Sequence, residues 1–465
     1  MKALHELSAA EAGRLIRSRD ISPVDLVEAL LSRINAVDDR LHSYLLVDAE
    51  GALDAAKRAE AEIAAGRWLG PLHGVPFGAK DNFFSKGLRT CANSRVLLDH
   101  VPDFDAAMVS RLRAAGAILL GKLNTWEFGT GHGLHFDDGV IPAARNPWNV
   151  ACFTGGSSTG PGAAVAGGTA VFALGADTGG SIRAPAAACG ITGLKPTYGR
   201  ISRHGILPNS WSMDVPGPMA WTVEDCALIL QATAGYDPAD AATVDIAVPD
   251  YMVDLDGGCR GLRIGYIPDV GDGIASDPAV RAGMEDLIAV LKDGGAMIEE
   301  TRLPLPPARY REVTSLISGS ERATVHEADF KAHADLMGQE LRGHIMMGSS
   351  ARAVDYIAAQ RMRRVLADGL ADLIDKYDAL VLPGAHHTAP LIADAEKVRD
   401  FMGHSVTAVF NVSGHPALAI PTGFDDAGLP TSCQIVGRYF DEASVLRVGR
   451  VYERARPWST RRPEL

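Results

Sequence analysis

Residues 150–200 read VACFTGGSSTGPGAAVAGGTAVFALGADTGGSIRAPAAACGITGLKPTYGR, and from Val150 through Ala176 no side chain carries a charge. The stretch is dense in glycine and alanine, yet it keeps the hydroxyls of Ser157, Ser158, Thr159, Thr178 and Ser181. A chain so poor in large side chains lets neighbouring backbones come close. A hydroxyl left inside it must be hydrogen-bonded or put to use. Residues 161–168 predict a helix packed through Gly and Ala, and TAVFALGAD (169–177) predicts a central strand ending at Asp177. Ser181 then falls just past the carboxyl end of a strand, where α/β sheets place their sites. The uncharged run is long enough to raise a membrane span, but its Gly, Pro, Ser and Thr content argues against one.

One basic residue upstream shares this small, apolar setting: Lys80 in GVPFGAKDN (74–82). A serine hydroxyl is a weak nucleophile until a base removes its proton. Lysine is a base only when neutral. Free lysine titrates at about 10.4, and burial lowers that value toward roughly 7 to 8 in lysine bases. The residues therefore suggest a relay in which Lys80 draws a proton through Ser157 from Ser181. Asp81 is the neighbouring carboxylate that could pair with Lys80 instead. The run Thr178-Gly179-Gly180-Ser181 offers successive backbone N–H groups with no bulk at the glycines, which suits an oxyanion hole. Gly-rich runs also cradle phosphate at helix starts. The P-loop form needs a lysine after its glycines, and GGSSTGPG (155–162) has none.

Three segments, GGSSTGPGAAVAGG (155–168), ALGADTGGSIRAPAAACGITGLKPTYGR (173–200) and PLHGVPFGAKDN (71–82), closely resemble the signature of the amidase signature family of serine hydrolases. The resemblance runs from near residue 8 to near residue 458 and is weakest between about 235 and 400. It implies Ser181 as nucleophile, Ser157 as a bridging serine in a cis peptide with Gly156, and Lys80 as base. It implies oxyanion N–H groups at Thr178, Gly179, Gly180 and Ser181. The serine separation of 24 residues fits the family. Thr159 and Pro161 depart from it, and Pro161 can occupy a first helical turn without loss. The implied fold is one large α/β domain, a mixed β-sheet core surrounded by helices. It would span 1–465, with core signature at about 70–235 and a variable, substrate-selecting helical region at about 300–400. TWEFGTGHG (125–133) resembles the family's loop over the substrate, so Thr130, Gly131 and His132 are candidate substrate-binding residues. Residues 201–224 read as a Pro/Gly/Ser loop reaching the pocket, with Trp211 and Met213 as exposed candidates. Asp177 and Arg183 flank the TGGS turn and are expected to brace it; an acid–base role for Asp177 is the alternative.

The rest of the chain supplies ordinary structure. Ser8 and Glu11 fit a capping box, and Ser22-Pro23 starts a second helix with Leu26, Leu30 and Ile34 on one stripe. Helix DAAMVSRLRAAG followed by apolar AILLGKLN is the α/β rhythm. The 465 residues are 47% apolar and show no linker or repeat, so one large core is expected. A net charge of −12 disfavours nucleic acid and anionic membranes. None of the six cysteines forms C-x-x-C, and buried free thiols in a reducing compartment are expected. No apolar leader segment is read at the N-terminus, so a cytoplasmic protein is expected. His132 and His135 lack a third ligand at useful spacing, so no metal is expected. His386 and His387 read as an ordinary loop pair. The expected function is hydrolysis of a C–N acyl bond in an amide, arylamide or carbamate (urethane). It would need no cofactor, no nucleic acid, no membrane and no partner beyond a small-molecule substrate, in a monomer or homodimer. The alternative is the glutaminase subunit of a tRNA-dependent amidotransferase, from which HGILPNSWSMDVPGP (204–218) is read as a departure.

Overall fold

The computed structural model describes residues 2–131, 139–271 and 273–465. Among the described residues, eleven strands form one sheet: β1 (Tyr44–Val47), β2 (Pro76–Lys80), β3 (Ile118–Leu123), β4 (Phe172–Asp177), β5 (Thr192–Lys195), β6 (Val215–Ala220), β7 (Arg263–Tyr266), β8 (Met297–Glu300), β9 (Ala379–Pro383), β10 (Ala417–Phe424) and β11 (Pro430–Val436). Their spatial order is β1-β3-β2-β4-β6-β5-β10-β11-β9-β7-β8. β2 runs parallel to both β3 and β4, whereas β4 pairs antiparallel with β6. The sheet is therefore mixed. β2, β3 and β4 are buried along their whole length, as strands covered on both faces must be.

The helical starts follow their caps. Ser8 and Ser22 each close a capping box, with Pro23 in the first turn of the second helix. Thr222 caps Val223–Thr233 in the same way. The helix Thr159–Gly167 is buried at every residue, and Pro161 sits in its first turn. Three long helices, Pro307–His333, Gln339–Ser349 and Ala353–Ile374, occupy most of residues 307–374. All six cysteines are buried and unbonded to one another. Among the described residues, no helix is long and apolar enough to cross a membrane.

One expectation fails here. Residues 201–224 are not one loop, because VPGPMA forms β6, in the middle of the sheet. Proline is excluded from a strand only where its missing N–H would leave a ladder bond unmade. β6 pairs with β4 along its whole length but with β5 only at Met219 and Ala220. Pro216 and Pro218 therefore lie where one side of the strand carries no ladder.

Candidate active site

Lys80 is the last residue of β2, and only 1% of its surface is exposed. Its Nζ lies 2.8 Å from Ser157 Oγ. The pleat sends the next residue the other way: Asp81 Oδ1 accepts from Lys122 Nζ at 3.0 Å, and its Oδ2 accepts the Cys91 N–H at 2.9 Å. The anticipated competitor for Lys80 is thus occupied elsewhere, and among the described residues no carboxylate forms an ion pair with Lys80. Burial pushes the Lys80 amine down to about 7, against a smaller opposing pull from Asp214 and Asp177.

The signature loop holds Ser157 in place through its backbone. The Gly156–Ser157 peptide is cis, as the resemblance implied. Ser157 O accepts from Thr125 Oγ1 at 3.1 Å and from the Trp126 N–H at 3.3 Å. The N–H of the next residue, Ser158, donates to Ser181 O at 3.3 Å. This bond ties the Ser157 loop to the turn that carries Ser181. Ser181 itself is half-buried and opens onto a cavity.

Asp177 shapes that turn. Its Oδ1 accepts the Gly180 N–H at 2.7 Å, and its Oδ2 accepts the Ile182 N–H at 3.1 Å. Arg183 grips the same carboxylate twice, at 3.1 and 3.0 Å. Gln434 Oε1 accepts from Arg183 Nη1 at 2.9 Å and Asn411 Oδ1 from Nη2 at 2.6 Å, and Asn411 Nδ2 donates back to Asp177. Burial alone would raise the Asp177 carboxyl; Arg183 and the other donors hold it at about 2. A carboxylate so fully engaged braces the turn and has no lone pair left for acid–base work. Gly180, at φ 135°, has a backbone that L side chains rarely adopt. Its N–H is already given to Asp177, which corrects the expected oxyanion set. The N–H groups of Thr178, Gly179 and Ser181 have no acceptor among the described residues.

Two cavities meet at this point. The larger, about 720 Å³, is lined by Ser181, Thr178, Gly179, Gly131, Trp126 and side chains from the long helices. The smaller, about 180 Å³, lies beside Lys80 and Ser157 and is walled by Trp211, Arg203 and Asp214. Gly129, Thr178 and Asn209 belong to both. Of the expected substrate residues, Gly131 lines the larger cavity and Trp211 the smaller. Thr130 is buried, with Oγ1 3.4 Å from Asn209 Oδ1. His132 lies outside the described residues. Met213 is fully buried in the core rather than exposed. His386 meets Ser276 and His387 meets Asp277, so that pair is ordinary loop structure.

Sequence reasoning missed a polar group centred on Asp214. Thr178 Oγ1 donates to Asp214 Oδ1 at 2.6 Å, and the N–H groups of Asn209 and Ser210 donate to the same carboxylate. Asn209 in turn accepts from Arg322 Nε at 2.7 Å. The only signal was a lone acid between apolar residues in SMDVPG. Among the described residues, no cluster of His, Cys, Asp and Glu is arranged to hold a metal.

The chain matches the amidase family over residues 25–446. It belongs to the amidase signature family. It is 41% identical to a Glutamyl-tRNA(Gln) amidotransferase subunit from Roseiflexus sp. (strain RS-1), with 100% of this chain and 99% of that relative covered. Among solved structures, a bacterial aryl acylamidase of the amidase signature family superposes with a TM-score of 0.89 at 26% identity, covering 98% of each chain. A Glutamyl-tRNA(Gln) amidotransferase subunit from Thermotoga maritima superposes with a TM-score of 0.83 at 27% identity, covering 98% of this chain and 96% of that one. This family member is thus a hydrolase acting on C–N bonds. The relatives' names speak of a tRNA and of one subunit among others. They overturn the expectation of a chain that works alone on a small molecule with no nucleic acid involved. That expectation came from the net charge, which says nothing about contacts made through another chain.

Proposed function

We propose that the chain cleaves a carboxamide through an acyl-enzyme on Ser181, and that it does so as the amide-cleaving subunit of a tRNA-dependent amidotransferase, with glutamine as the amide donor. The observation that carries the chemistry is a lysine out of water, without an ion pair among the described residues, 2.8 Å from the hydroxyl of Ser157. Neutral Lys80 takes a proton from Ser157 as Ser157 takes one from Ser181. Ser181 Oγ attacks the amide carbon. The developing oxyanion is met by the N–H groups of Thr178, Gly179 and Ser181. The relay returns a proton to the leaving nitrogen, and water clears the acyl-enzyme by the same route. No step requires a metal or an organic cofactor.

Glutamine as substrate is supported by the match to amidotransferase subunits over the whole chain. A second reading has its own observation. A cavity of about 720 Å³ falls within the range of drug-sized ligand sites, about 300–1,000 Å³. That size, with the likeness to an aryl acylamidase, favours a bulkier arylamide or a carbamate. The deciding experiment measures kcat/KM on glutamine, an aliphatic amide, an anilide and a carbamate, with and without a candidate partner subunit. Glutamine turnover that rises on adding the partner supports the first reading. Strong anilide or carbamate turnover with none on glutamine refutes it and supports the second.

A further inference from the structure

Among the described residues three arginines are buried: Arg183, Arg200 and Arg322. A guanidinium taken out of water is tolerated when a carboxylate accompanies it. Arg183 has Asp177 at 3.0 Å, and Arg200 has Glu442 at 3.3 Å. Arg322, 8% exposed on the helix Pro307–His333, has no carboxylate of the described residues within ion-pair distance. Its Nε donates to Asn209 Oδ1 at 2.7 Å, and its two Nη groups have no hydrogen-bond partner among the described residues. Burial lowers its pKa only to about 10, so it stays cationic at neutral pH.

The nearby acids are committed elsewhere. Asp214 accepts from Thr178, Asn209 and Ser210. Glu321, next along the helix, accepts from Ser210, Ser212 and Tyr356. Glu312, on the wall of the larger cavity, pairs with Arg309. Arg322 lines that same cavity, the one onto which Ser181 opens. A buried cation with donors to spare, sharing a cavity with a nucleophile, is a socket for an anion that arrives with the substrate.

We infer that Arg322 receives a carboxylate carried on the acyl side of the substrate, so that this site takes ω-amides of dicarboxylic acids. The planar fork of Arg suits a carboxylate bidentately, and the Nη groups are the free prongs. Glutamine belongs to this class, so the inference rests on the reading of amide cleavage at Ser181. It does not require glutamine itself.

The test uses a matched pair, glutaramate and its neutral methyl ester, with the full-length wild type, Arg322→Gln and Arg322→Lys. The wild type should prefer glutaramate. Arg322→Gln should lower kcat/KM for glutaramate by roughly 10- to 100-fold, the loss of a charge-assisted hydrogen-bonded pair. That loss should appear in KM and should leave the ester within about threefold. Arg322→Lys should recover part of it. Equal losses on both amides, or a wild type that prefers the ester, would overturn the inference and leave Arg322 as a support for Asn209. Calorimetric binding of glutarate separates this from failure of the amidase reading, because it needs no turnover. Glutarate held by the wild type and released by Arg322→Gln supports the socket even if neither amide is cleaved. Equal or absent glutarate binding in two folded proteins overturns it.

Discussion

Replacing Lys80 with methionine should give a protein that is more stable and far less active. In the folded chain the Lys80 amine titrates at about 7 instead of 10.5, because burial disfavours its charged form. At about 1.4 kcal/mol per pH decade, that gap is a folding penalty of about 5 kcal/mol. The unfolded chain binds the extra proton between those two values, so stability rises with pH across the interval. The penalty is full below pH 7, shrinks from about 7 to 10.5, and is gone above it. At pH 7 about half the folded molecules are already neutral, and the penalty is about 4 kcal/mol. Methionine removes it but leaves Ser157 Oγ without its partner, at a cost of about 1 kcal/mol. The net expected gain at pH 7 is about 3 kcal/mol, larger at pH 6 and near zero by pH 10. Urea unfolding of both proteins at several pH values measures it. Turnover, losing its general base, should fall by about 10²- to 10⁴-fold or more. A variant less stable than wild type at pH 6, or a stability difference that ignores pH, would refute the claim that burial lowers the Lys80 pKa.

Three further outcomes are expected. For the wild type, log kcat/KM should climb with a slope near one up to about pH 7 and flatten above it, since only neutral Lys80 accepts a proton; a profile flat through this region would speak against the relay. Ser181→Ala should lose turnover and covalent labelling by a fluorophosphonate while unfolding cooperatively, and labelling at another serine would displace Ser181 as nucleophile. Asp177→Asn should leave the Arg183 charge buried without its counterion and lower stability by about 3 to 5 kcal/mol in urea unfolding; a neutral effect would mean that Asn411 and Gln434 alone suffice to hold the guanidinium.

Much of the local structure was legible before any coordinates. Ser8 announced a helix because a cap and its partner sit three residues apart, and Ser22 because a cap is followed by proline. The buried strands at Ile118–Leu123 and Phe172–Asp177 follow from short apolar runs. VPGPMA was misread because proline content signals a loop unless one knows which side of the strand lacks a neighbour.

By itself, then, the sequence determined which residue types could do chemistry here and in what local setting: a lysine in small apolar company, two serines 24 apart, and a glycine turn after a strand. Only the tertiary structure decided which charge met which. It gave Asp81 to Lys122, Asp177 to Arg183 and the Gly180 N–H, and Asp214 to Thr178, and among the described residues it left Lys80 and Arg322 without carboxylates. Apart from the Asp177 turn, these pairings join residues tens of positions apart. Their energies depend on burial and on the direction in which each side chain leaves its strand or helix, quantities that no local pattern encodes.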